Sequence, residues 1–330
     1  MSLFPETDHL VPELAGRLEA VAACFERELV SDLSSVNLLA RHVEKYRGKM
    51  LRPTLVIASG FAVRTGAPPS RVIDESLNTL GAVVEMIHMA TLVHDDVLDE
   101  ASMRRGGATV NSLRGNETAV MLGDFLISSS FRLCSTVGEP WLNTELGAMT
   151  SQLCSGEILQ LSHRGDFNLD SETYFDIIRR KTGVLAGACC GLAARLAGAD
   201  PIACKALRIY GEELGMAFQI QDDVLDLVGD ETVVGKTLGI DLQKGKFTLP
   251  LVTHFSRCSA DSRDQTIRAV ERCDVAEVLR LVESTESLVA ARETAEALVE
   301  RAKDQLEILA ECPARQLLRA IADATIEREY

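Results

Sequence analysis

The chain has 330 residues, which is long enough for one large domain with a sizeable core. Its 46% hydrophobic and 25% charged residues exclude a disordered, collagenous or low-complexity chain. The aromatic content of only 5% weighs against an all-β sandwich. The net charge of -15 disfavours nucleic acid and anionic membrane surfaces as partners.

Cysteine usage and the amino-terminal sequence indicate a cytoplasmic protein. The 9 cysteines include no C-x-x-C pair, so we expect reduced thiols, with Cys189 and Cys190 acting as small buried hydrophobes. The segment MSLFPETDHL lacks the basic and apolar regions of a signal peptide. The apolar run over 184–194 is too short to span a membrane and predicts a buried helix, so we expect no transmembrane segment.

In chain order, apolar residues recur three and four positions apart over long intervals, which predicts amphipathic helices. The first such stripe runs over 77–98, and another helix is predicted over 206–227. The stretch 288–309 alternates charged and apolar residues and is typical of a solvated helix face. Strand patterns are nearly absent, and no Asn-Gly or Asp-Gly turn predicts a hairpin. The sequence therefore predicts an all-α fold with many helices.

Glycine and proline mark the predicted loops, which lie at 65–70, 137–140, 165–170, 198–201, 228–236 and 241–250. None of these loops is a long Ser/Gly/Pro linker, so we expect residues 1–330 to form a single domain.

The pentapeptide DDVLD occurs twice, at 95–99 and at 222–226, each at the end of a helical apolar pattern. Residues four apart share a helix face, so Asp95 and Asp99 should project side by side, as should Asp222 and Asp226. Clustered carboxylates at a helix carboxyl end repel one another and oppose the helix dipole. Carboxylate oxygens suit a hard cation such as Mg²⁺, which commonly shares its coordination sphere with phosphates. One copy alone is as consistent with a solvated acidic helix end.

Basic residues gather near both acidic motifs in this otherwise acidic chain. They are Arg47, Lys49 and Arg52, then Arg104 and Arg105, then Lys181, and finally Lys236, Lys244 and Lys246. Arginine matches phosphate oxygens in bidentate fashion and lysine adds a mobile point charge. Taken singly, each of these residues would be an ordinary surface charge. Together with the acidic motifs they predict a site for diphosphates bridged by magnesium.

These segments resemble the trans-polyprenyl diphosphate synthases, the polyprenyl synthetase family. The resemblance rests on GKMLRP at 48–53, EMIHMATLVHDDVLDEASMRRGGATVN at 85–111, GD at 123–124, KTG at 181–183, FQIQDDVLDLVGD at 218–230 and GKTLGIDLQKGKFTLP at 235–250. The segments occur in family order over about two thirds of the chain and are most similar to the long-chain, octaprenyl diphosphate synthase type. The family usually has G-G-K where this chain has Arg47-Gly48-Lys49, which leaves the local loop conformation open.

The resemblance implies an isoprenoid synthase fold, a many-helix bundle around a central cavity whose mouth carries both aspartate motifs. It implies that up to three Mg²⁺ ions bind the allylic diphosphate through Asp95, Asp96, Asp99, Asp222, Asp223 and Asp226. It further implies diphosphate-binding or catalytic roles for Arg104, Lys181, Thr182, Gln219, Lys236 and Lys246. By the same resemblance, the diphosphate of isopentenyl diphosphate would be bound by Lys49, Arg52, His88 and Arg105. His94 is as consistent with packing as with a role in catalysis.

The implied reaction is condensation of isopentenyl diphosphate with an allylic diphosphate. Ala90 and Thr91 are the candidate residues for setting the length of the product. They lie five and four residues before Asp95, which is about 6 to 7.5 Å along the helix from the acidic motif. Short-chain members of the family carry a bulky aromatic residue at one of these positions, so the small residues here predict a product of C30 to C50. Packing of Ala90 against a neighbouring helix is the plainer alternative. Ile87, or Phe125 and Phe131, could form the cavity floor.

Three other functions are alternatives. A short-chain (C15–C20) synthase is the nearest alternative. A terpene cyclase would have no use for Lys49, Arg52 and Arg105, and a regulatory subunit would generally have lost aspartates that this chain retains. The family resemblance also implies a homodimer, and transient membrane contact would serve product release.

Overall fold

The computed structural model describes residues 13–44, 46, 48–228 and 239–327. Its architecture is all-α, which confirms the predicted fold class. The helices are α1 Leu14–Glu28, α2 Ser34–Glu44, α3 Leu51–Ala62, α4 Arg71–Leu98, α5 Val110–Arg114, α6 Asn116–Ser135, α7 Pro140–Ser162, α8 Ser171–Ile178, α9 Val184–Leu196, α10 Pro201–Val228, α11 Ile240–Gln243, α12 Leu249–Arg257, α13 Ala260–Glu271, α14 Val275–Glu283, α15 Ser287–Gln305 and α16 Pro313–Ile326. A π-helix, Arg179–Gly183, joins α8 to α9, and a 3-10 turn, Leu306–Ile308, follows α15.

The chain divides into two compact units. The first comprises residues 1–150, 188–208 and 308–318, and the second comprises residues 151–187, 209–307 and 319–330. The first acidic motif lies in the first unit and the second acidic motif lies in the second unit. The expectation of a single domain over residues 1–330 stays a prediction.

Helix α4 is the central helix of the first unit, where it packs against α1, α3 and α6. Ser70 caps its amino end by accepting a hydrogen bond from the Ile73 amide, as is usual for serine at this position. Along the predicted stripe, Leu77, Leu80 and Val84 are fully buried. The burial of this apolar stripe stabilises α4, whose carboxyl end carries the aspartates of the first acidic motif.

Among the described residues, α4 is the helix that is long and apolar enough to cross a membrane by length and composition. Two thirds of its most apolar window (67%) are buried inside the protein, as expected for the core helix of this unit.

Small residues allow close contact between α9 and α10 in the second unit. A Cβ atom on Gly211 of α10 would lie 2.3 Å from the Ala186 carbonyl oxygen of α9, so only glycine fits there. In the first unit, the α9 residues Cys189 and Cys190 are both fully buried, and burial raises the pKa of the Cys190 thiol to about 12. These two cysteines are therefore unreactive packing residues, as predicted.

A short antiparallel hairpin follows α4 and was not expected from the sequence. Strand β1, Met103–Arg104, pairs with β2, Gly107–Ala108. The turn residues Arg105 and Gly106 both have positive φ, 48° and 74°, which matches the backbone of a tight hairpin turn. The turn is Arg-Gly rather than Asn-Gly and each strand has only two residues, so the usual sequence signal is missing.

The predicted loops at 65–70 and 165–170 are confirmed. Those at 137–140 and 198–201 are confirmed except for their last residues, Pro140 and Pro201, which begin α7 and α10. The loop predicted over 241–250 is partly wrong, because α11 occupies Ile240–Gln243 and α12 begins at Leu249. The predicted helix 206–227 begins earlier, at Pro201, where the Asp200 carboxylate accepts hydrogen bonds from two first-turn amides. Most of the predicted loop 228–236 lies outside the described residues.

Candidate active site

The first acidic motif lies at the carboxyl end of α4, and its three aspartates have different surroundings. Asp95 and Asp99 are half-buried, whereas Asp96 is only 1% exposed and accepts a hydrogen bond from Arg104 Nε at 2.7 Å. Burial raises the pKa of Asp96, and the neighbouring Arg104 guanidinium opposes that shift. The Asp96 carboxylate thus anchors the hairpin, while its neighbours are more open to solvent.

The hairpin turn places the Arg105 guanidinium against the segment before α3. Arg105 donates a hydrogen bond to the Tyr46 carbonyl oxygen, and a Cβ on Gly48 would lie 2.7 Å from the guanidinium. The Tyr46 hydroxyl accepts a hydrogen bond from the Val110 amide at 3.0 Å, and burial raises its pKa to about 12. Gly48, which the family motif retains beside Lys49, therefore leaves room for an arginine that the resemblance assigns to diphosphate binding.

Arg52, His88 and Arg105 form an electropositive cluster in the first unit. Burial lowers the pKa of His88 well below 6.5, and the charges of Arg52 and Arg105 lower it further. Burial likewise lowers the pKa of Arg52. Arg52 Nε is buried and has no hydrogen-bond partner within the described residues, which is uncommon for a buried donor and typical of a ligand-binding position. Lys49, the fourth residue of this predicted set, is exposed.

His94, the second histidine of the motif region, packs helix α4 against helix α6. A Cβ on Gly123 would lie 2.1 Å from His94 Nε2, and that nitrogen lies 3.2 Å from the Val120 carbonyl oxygen. The Gly-Asp pair at 123–124 thus makes space for the histidine ring. Of the two interpretations left open by the sequence, these contacts favour packing.

The second acidic motif lies at the carboxyl end of α10. Asp222 is half-buried, whereas Asp223 is 4% exposed. The two Asp223 oxygens accept hydrogen bonds from the Tyr174 hydroxyl at 2.6 Å and from Gln219 Nε2 at 2.9 Å. Burial raises the pKa of Asp223 well above its usual range, and the charges of Asp241 and Asp222 add to the shift. As in the first motif, the second aspartate is buried and hydrogen-bonded.

Asp226 caps the start of α11. Its carboxylate oxygens accept hydrogen bonds from the amides of Ile240 and Asp241, both at 3.2 Å, and its carbonyl oxygen accepts one from the Gly239 amide at 2.8 Å. The Lys246 amide in turn donates to the Asp241 carbonyl oxygen at 2.8 Å. These bonds fix the loop that carries Lys244 and Lys246, both half-buried, relative to the second motif.

The π-helix carries Lys181 and Thr182, and such segments often occur at functional sites. The Lys181 ammonium forms an ion pair with Glu157 and donates to Gln160 Oε1 at 2.5 Å. The Thr182 hydroxyl donates to Gln219 Oε1 at 3.0 Å. A hydrogen-bond chain therefore runs from Thr182 through Gln219 and Asp223 to Tyr174.

The predicted chain-length residues occupy two environments on α4. Ala90 and Ile87 are buried, at 0% and 1% exposure. Thr91 is half-buried and its hydroxyl donates to the His88 carbonyl oxygen at 2.8 Å. Thr91 is therefore the more accessible of the two small residues, and the roles of all three in chain length stay predictions.

Two predicted site residues, Arg47 and Lys236, lie outside the described residues. Sequence reasoning also missed several side chains that support the site, namely Tyr46, Glu85, Glu157 and Tyr174. Glu85 does carry a signal, because it is a single carboxylate inside the apolar run of α4. Tyr174 carries none, since it lies 49 positions before its partner Asp223.

The carboxylate donors fit a hard divalent cation. Asp95 and Asp99 in the first motif are half-buried, as is Asp222 in the second motif, and each supplies oxygen only. In the described part of the chain, no three His, Cys, Asp or Glu side chains lie close enough together to hold a metal ion. A cation at either motif would therefore need further ligands from water or a phosphate, which is how Mg²⁺ is commonly bound.

Comparison with known proteins shows the family to which this chain belongs. The polyprenyl synthetase family model matches residues 34–285. The chain is 33% identical over 320 residues to the octaprenyl diphosphate synthase of Escherichia coli, covering 96% of this chain and 97% of that protein. It is 34% identical over 313 residues to a short chain isoprenyl diphosphate synthase of Methanothermobacter thermautotrophicus, covering 92% and 94%.

Among solved structures, a polyprenyl synthase from Caulobacter crescentus, complexed with calcium and isoprenyl diphosphate, superposes with a TM-score of 0.90. The two chains are 32% identical, and the match covers 98% of each. This protein belongs to the polyprenyl synthetase family, whose members are prenyltransferases.

Proposed function

We propose that this protein condenses isopentenyl diphosphate with an allylic diphosphate and, by repeating this step, makes a long-chain trans-polyprenyl diphosphate of C30 to C50. The observation that carries the proposal is the cluster of Arg52, His88 and Arg105 in the unit that also displays Asp95 and Asp99. Such a cluster supplies the separate anion site that a second diphosphate substrate requires.

Arg52 and Arg105 would bind the diphosphate of isopentenyl diphosphate, with Lys49 at the exposed side. The buried Arg52 Nε, which has no partner within the described residues, is a donor ready for a phosphate oxygen. Burial, together with the charges of its arginine neighbours, lowers the pKa of His88 well below 6.5, so it would contribute a hydrogen bond rather than a charge. The site thereby orients the double bond of isopentenyl diphosphate for attack.

The allylic diphosphate would be bound by residues of both acidic motifs together with Arg104, Lys181, Lys236 and Lys246. Asp95, Asp99 and Asp222 are the side chains that would hold up to three Mg²⁺ ions, with Asp96, Asp223 and Asp226 supporting them. Magnesium held by these residues would neutralise the negative charge that develops on the departing diphosphate. The lysine and arginine side chains act in the same direction.

The reaction needs no nucleophilic side chain. The allylic C–O bond breaks and its electron pair leaves with the diphosphate. The π electrons of isopentenyl diphosphate then form the new C–C bond, and a proton passes to the released diphosphate. The oxygens of Thr182 and Gln219 lie along the hydrogen-bond chain to Asp223 and would stabilise the positive charge of the allylic group.

The proposed product length rests on two small side chains of α4 that precede the first acidic motif. Ala90 and Thr91 are small, so a growing hydrocarbon tail could pass them, and Ile87 or the phenylalanines of α6 would form the floor. Relatives named for short-chain and for octaprenyl products match at similar identity, so a C15–C20 synthase is the alternative. The two complete aspartate motifs argue against a terpene cyclase and against a regulatory subunit.

We further propose a cytoplasmic homodimer that touches the membrane transiently for product release. The test of function is incubation of the purified protein with labelled isopentenyl diphosphate, farnesyl diphosphate and Mg²⁺, followed by sizing of the products. We expect a ladder in five-carbon steps ending between C30 and C50. A ladder ending at C15 or C20 would overturn the long-chain proposal, and an absence of any extended product would overturn the condensation itself.

A further inference from the structure

Glu85 is a buried carboxylate inside the apolar run of α4. It is 3% exposed and lies between Val84 and Met86, which are both fully buried. An isolated carboxylate at such a position is costly unless cations and hydrogen bonds compensate for its lost hydration. Its presence in the core therefore requires partners from neighbouring elements.

Two arginines of the electropositive cluster lie near enough to Glu85 for its charge to act on them. The negative charge of Glu85 acts on both guanidiniums and opposes the lowering of the pKa of Arg52 and of Arg105 that burial causes. Arg52 comes from α3, which packs against α4, and Arg105 comes from the hairpin turn. One carboxylate thus lies near two arginines that come from different elements.

The burial of Glu85 separates its carboxylate from solvent, whereas the residues of the proposed diphosphate site are more open. Glu85 precedes His88 by three residues, so the two side chains share a face of the helix. His88 and Arg105 are more exposed than Glu85. Glu85 can therefore act on a bound diphosphate only through the arginines.

We propose that Glu85 is a positioning residue that orients Arg52 and Arg105 for the diphosphate of isopentenyl diphosphate. This inference rests on the proposed function. Bidentate binding by arginine is directional, because two N–H bonds must align with two oxygens at once. The Glu85 carboxylate fixes the guanidinium planes before the substrate arrives, which reduces the ordering that binding would otherwise require.

A purely electrostatic role makes the opposite prediction. Removing a negative charge near two arginines would strengthen their attraction for a diphosphate. Loss of orientation would weaken binding of the same diphosphate. The direction of the change in KM for isopentenyl diphosphate therefore separates the two roles.

The experiment compares Glu85→Gln and Glu85→Asp with the wild-type enzyme in steady-state condensation assays at saturating Mg²⁺. For Glu85→Gln we expect the KM for isopentenyl diphosphate to rise by about tenfold or more, which corresponds to about 1.4 kcal/mol. The KM for farnesyl diphosphate and kcat should stay within about twofold. Glu85→Asp keeps the charge on a shorter side chain and should recover part of the loss.

Asp74→Asn is the matched control. Asp74 lies on the same helix and forms ion pairs with two arginines, Arg17 at 2.6 Å and Arg64 at 2.8 Å, but it lies five to six turns before the acidic motif. Its replacement should lower thermal stability and leave both KM values unchanged. A rise confined to isopentenyl diphosphate in the Glu85 variants would then report orientation of the site rather than a weakened fold.

An unchanged or lower KM for isopentenyl diphosphate in Glu85→Gln would overturn the inference, as would an equal rise for both substrates. Should Glu85→Gln fail to fold, Glu85→Asp alone decides, because a KM for isopentenyl diphosphate equal to that of the wild type would contradict the proposal. Failure of the proposed function is separate, since it would appear as a wild-type enzyme that extends no primer.

Discussion

Asp96 and Arg104 form an ion pair in which the carboxylate is almost fully buried and Arg104 Nε lies 2.7 Å from the Asp96 oxygen. Asn111 adds a hydrogen bond to the Asp96 carbonyl oxygen at 3.0 Å. The pair joins the end of α4 to the first strand of the hairpin, whose turn presents Arg105. The middle of the first acidic motif is thus a structural anchor for the basic residues that follow it.

The first prediction follows from that anchor. Asp96→Asn weakens the hydrogen bond to Arg104, whose side chain is 26% exposed and so stays partly hydrated. The free energy of unfolding should fall by about 1 to 2 kcal/mol. Asp99→Asn is the control, because Asp99 is half-buried and its replacement should change stability by less than about 1 kcal/mol. Urea denaturation followed by circular dichroism measures both. Equal losses for the two variants would show that Asp96 does not anchor the hairpin.

The second prediction concerns the hydrogen bond from Tyr174 to Asp223, since both residues are buried. Tyr174→Phe removes the donor and leaves one Asp223 oxygen unsatisfied, so the free energy of unfolding should fall by about 2 kcal/mol. Thr182→Val removes the donor at the half-buried other end of the chain and should cost less, about 1 kcal/mol. Chemical denaturation at pH 8 gives both values, and the reverse order would contradict the proposed importance of Tyr174.

The third prediction is a pH dependence of stability that arises from His88. Its pKa in the folded protein lies well below the ordinary value of 6.5, so between these two values the unfolded chain binds a proton that the folded protein does not. Stability should therefore fall as the pH drops below about 6.5. In His88→Gln this contribution is absent, and its unfolding free energy should decrease less between pH 7.5 and pH 5. Parallel pH curves for the two proteins would rule out the contribution.

The fourth prediction tests the proposed path of the hydrocarbon tail. Ala90→Phe should shorten the longest product and leave release of diphosphate from the allylic substrate intact, because the ring would project into the channel. Ala82→Phe is the control, since Ala82 is equally buried on α4 but lies more than two turns farther from the acidic motif. It should destabilise the fold by about 1 to 3 kcal/mol through overpacking.

Product sizing and thermal unfolding of both alanine variants decide between a channel and a packed core. A full-length product from Ala90→Phe, together with a stability loss as large as that of Ala82→Phe, would mean that Ala90 packs against a neighbouring helix. The tail would then travel elsewhere.

Local patterns predict much of this fold because helix periodicity is a local property. The apolar stripe through Leu77, Leu80 and Val84 predicts α4, and the repeated DDVLD places both acidic motifs at helix ends. The burial of Cys189 and Cys190 follows from their apolar surroundings. These features need only the residues within a few turns of one another.

Features that depend on contacts between distant residues could not be predicted from the sequence. Within each DDVLD motif, nothing in the sequence indicates which aspartate is buried. The buried ones are Asp96 and Asp223. They accept hydrogen bonds from Arg104 and Tyr174, which lie on other elements. Similarly, the hairpin depends on Asp96 and Asn111 at its base rather than on a favoured turn sequence. The sequence does show Glu85 as a charged residue within an apolar run. That its charge acts on Arg52 and Arg105 follows only from how α3 and the hairpin pack.

The most direct test of the central claim compares two quantities in one reaction, namely pyrophosphate released and isopentenyl diphosphate incorporated. The purified enzyme is given farnesyl diphosphate and labelled isopentenyl diphosphate, with Mg²⁺ or with a chelator. We predict one pyrophosphate for each isopentenyl unit incorporated, and neither quantity when the metal is removed. Release of pyrophosphate without incorporation, or incorporation that continues in excess chelator, would contradict a metal-dependent prenyl transfer.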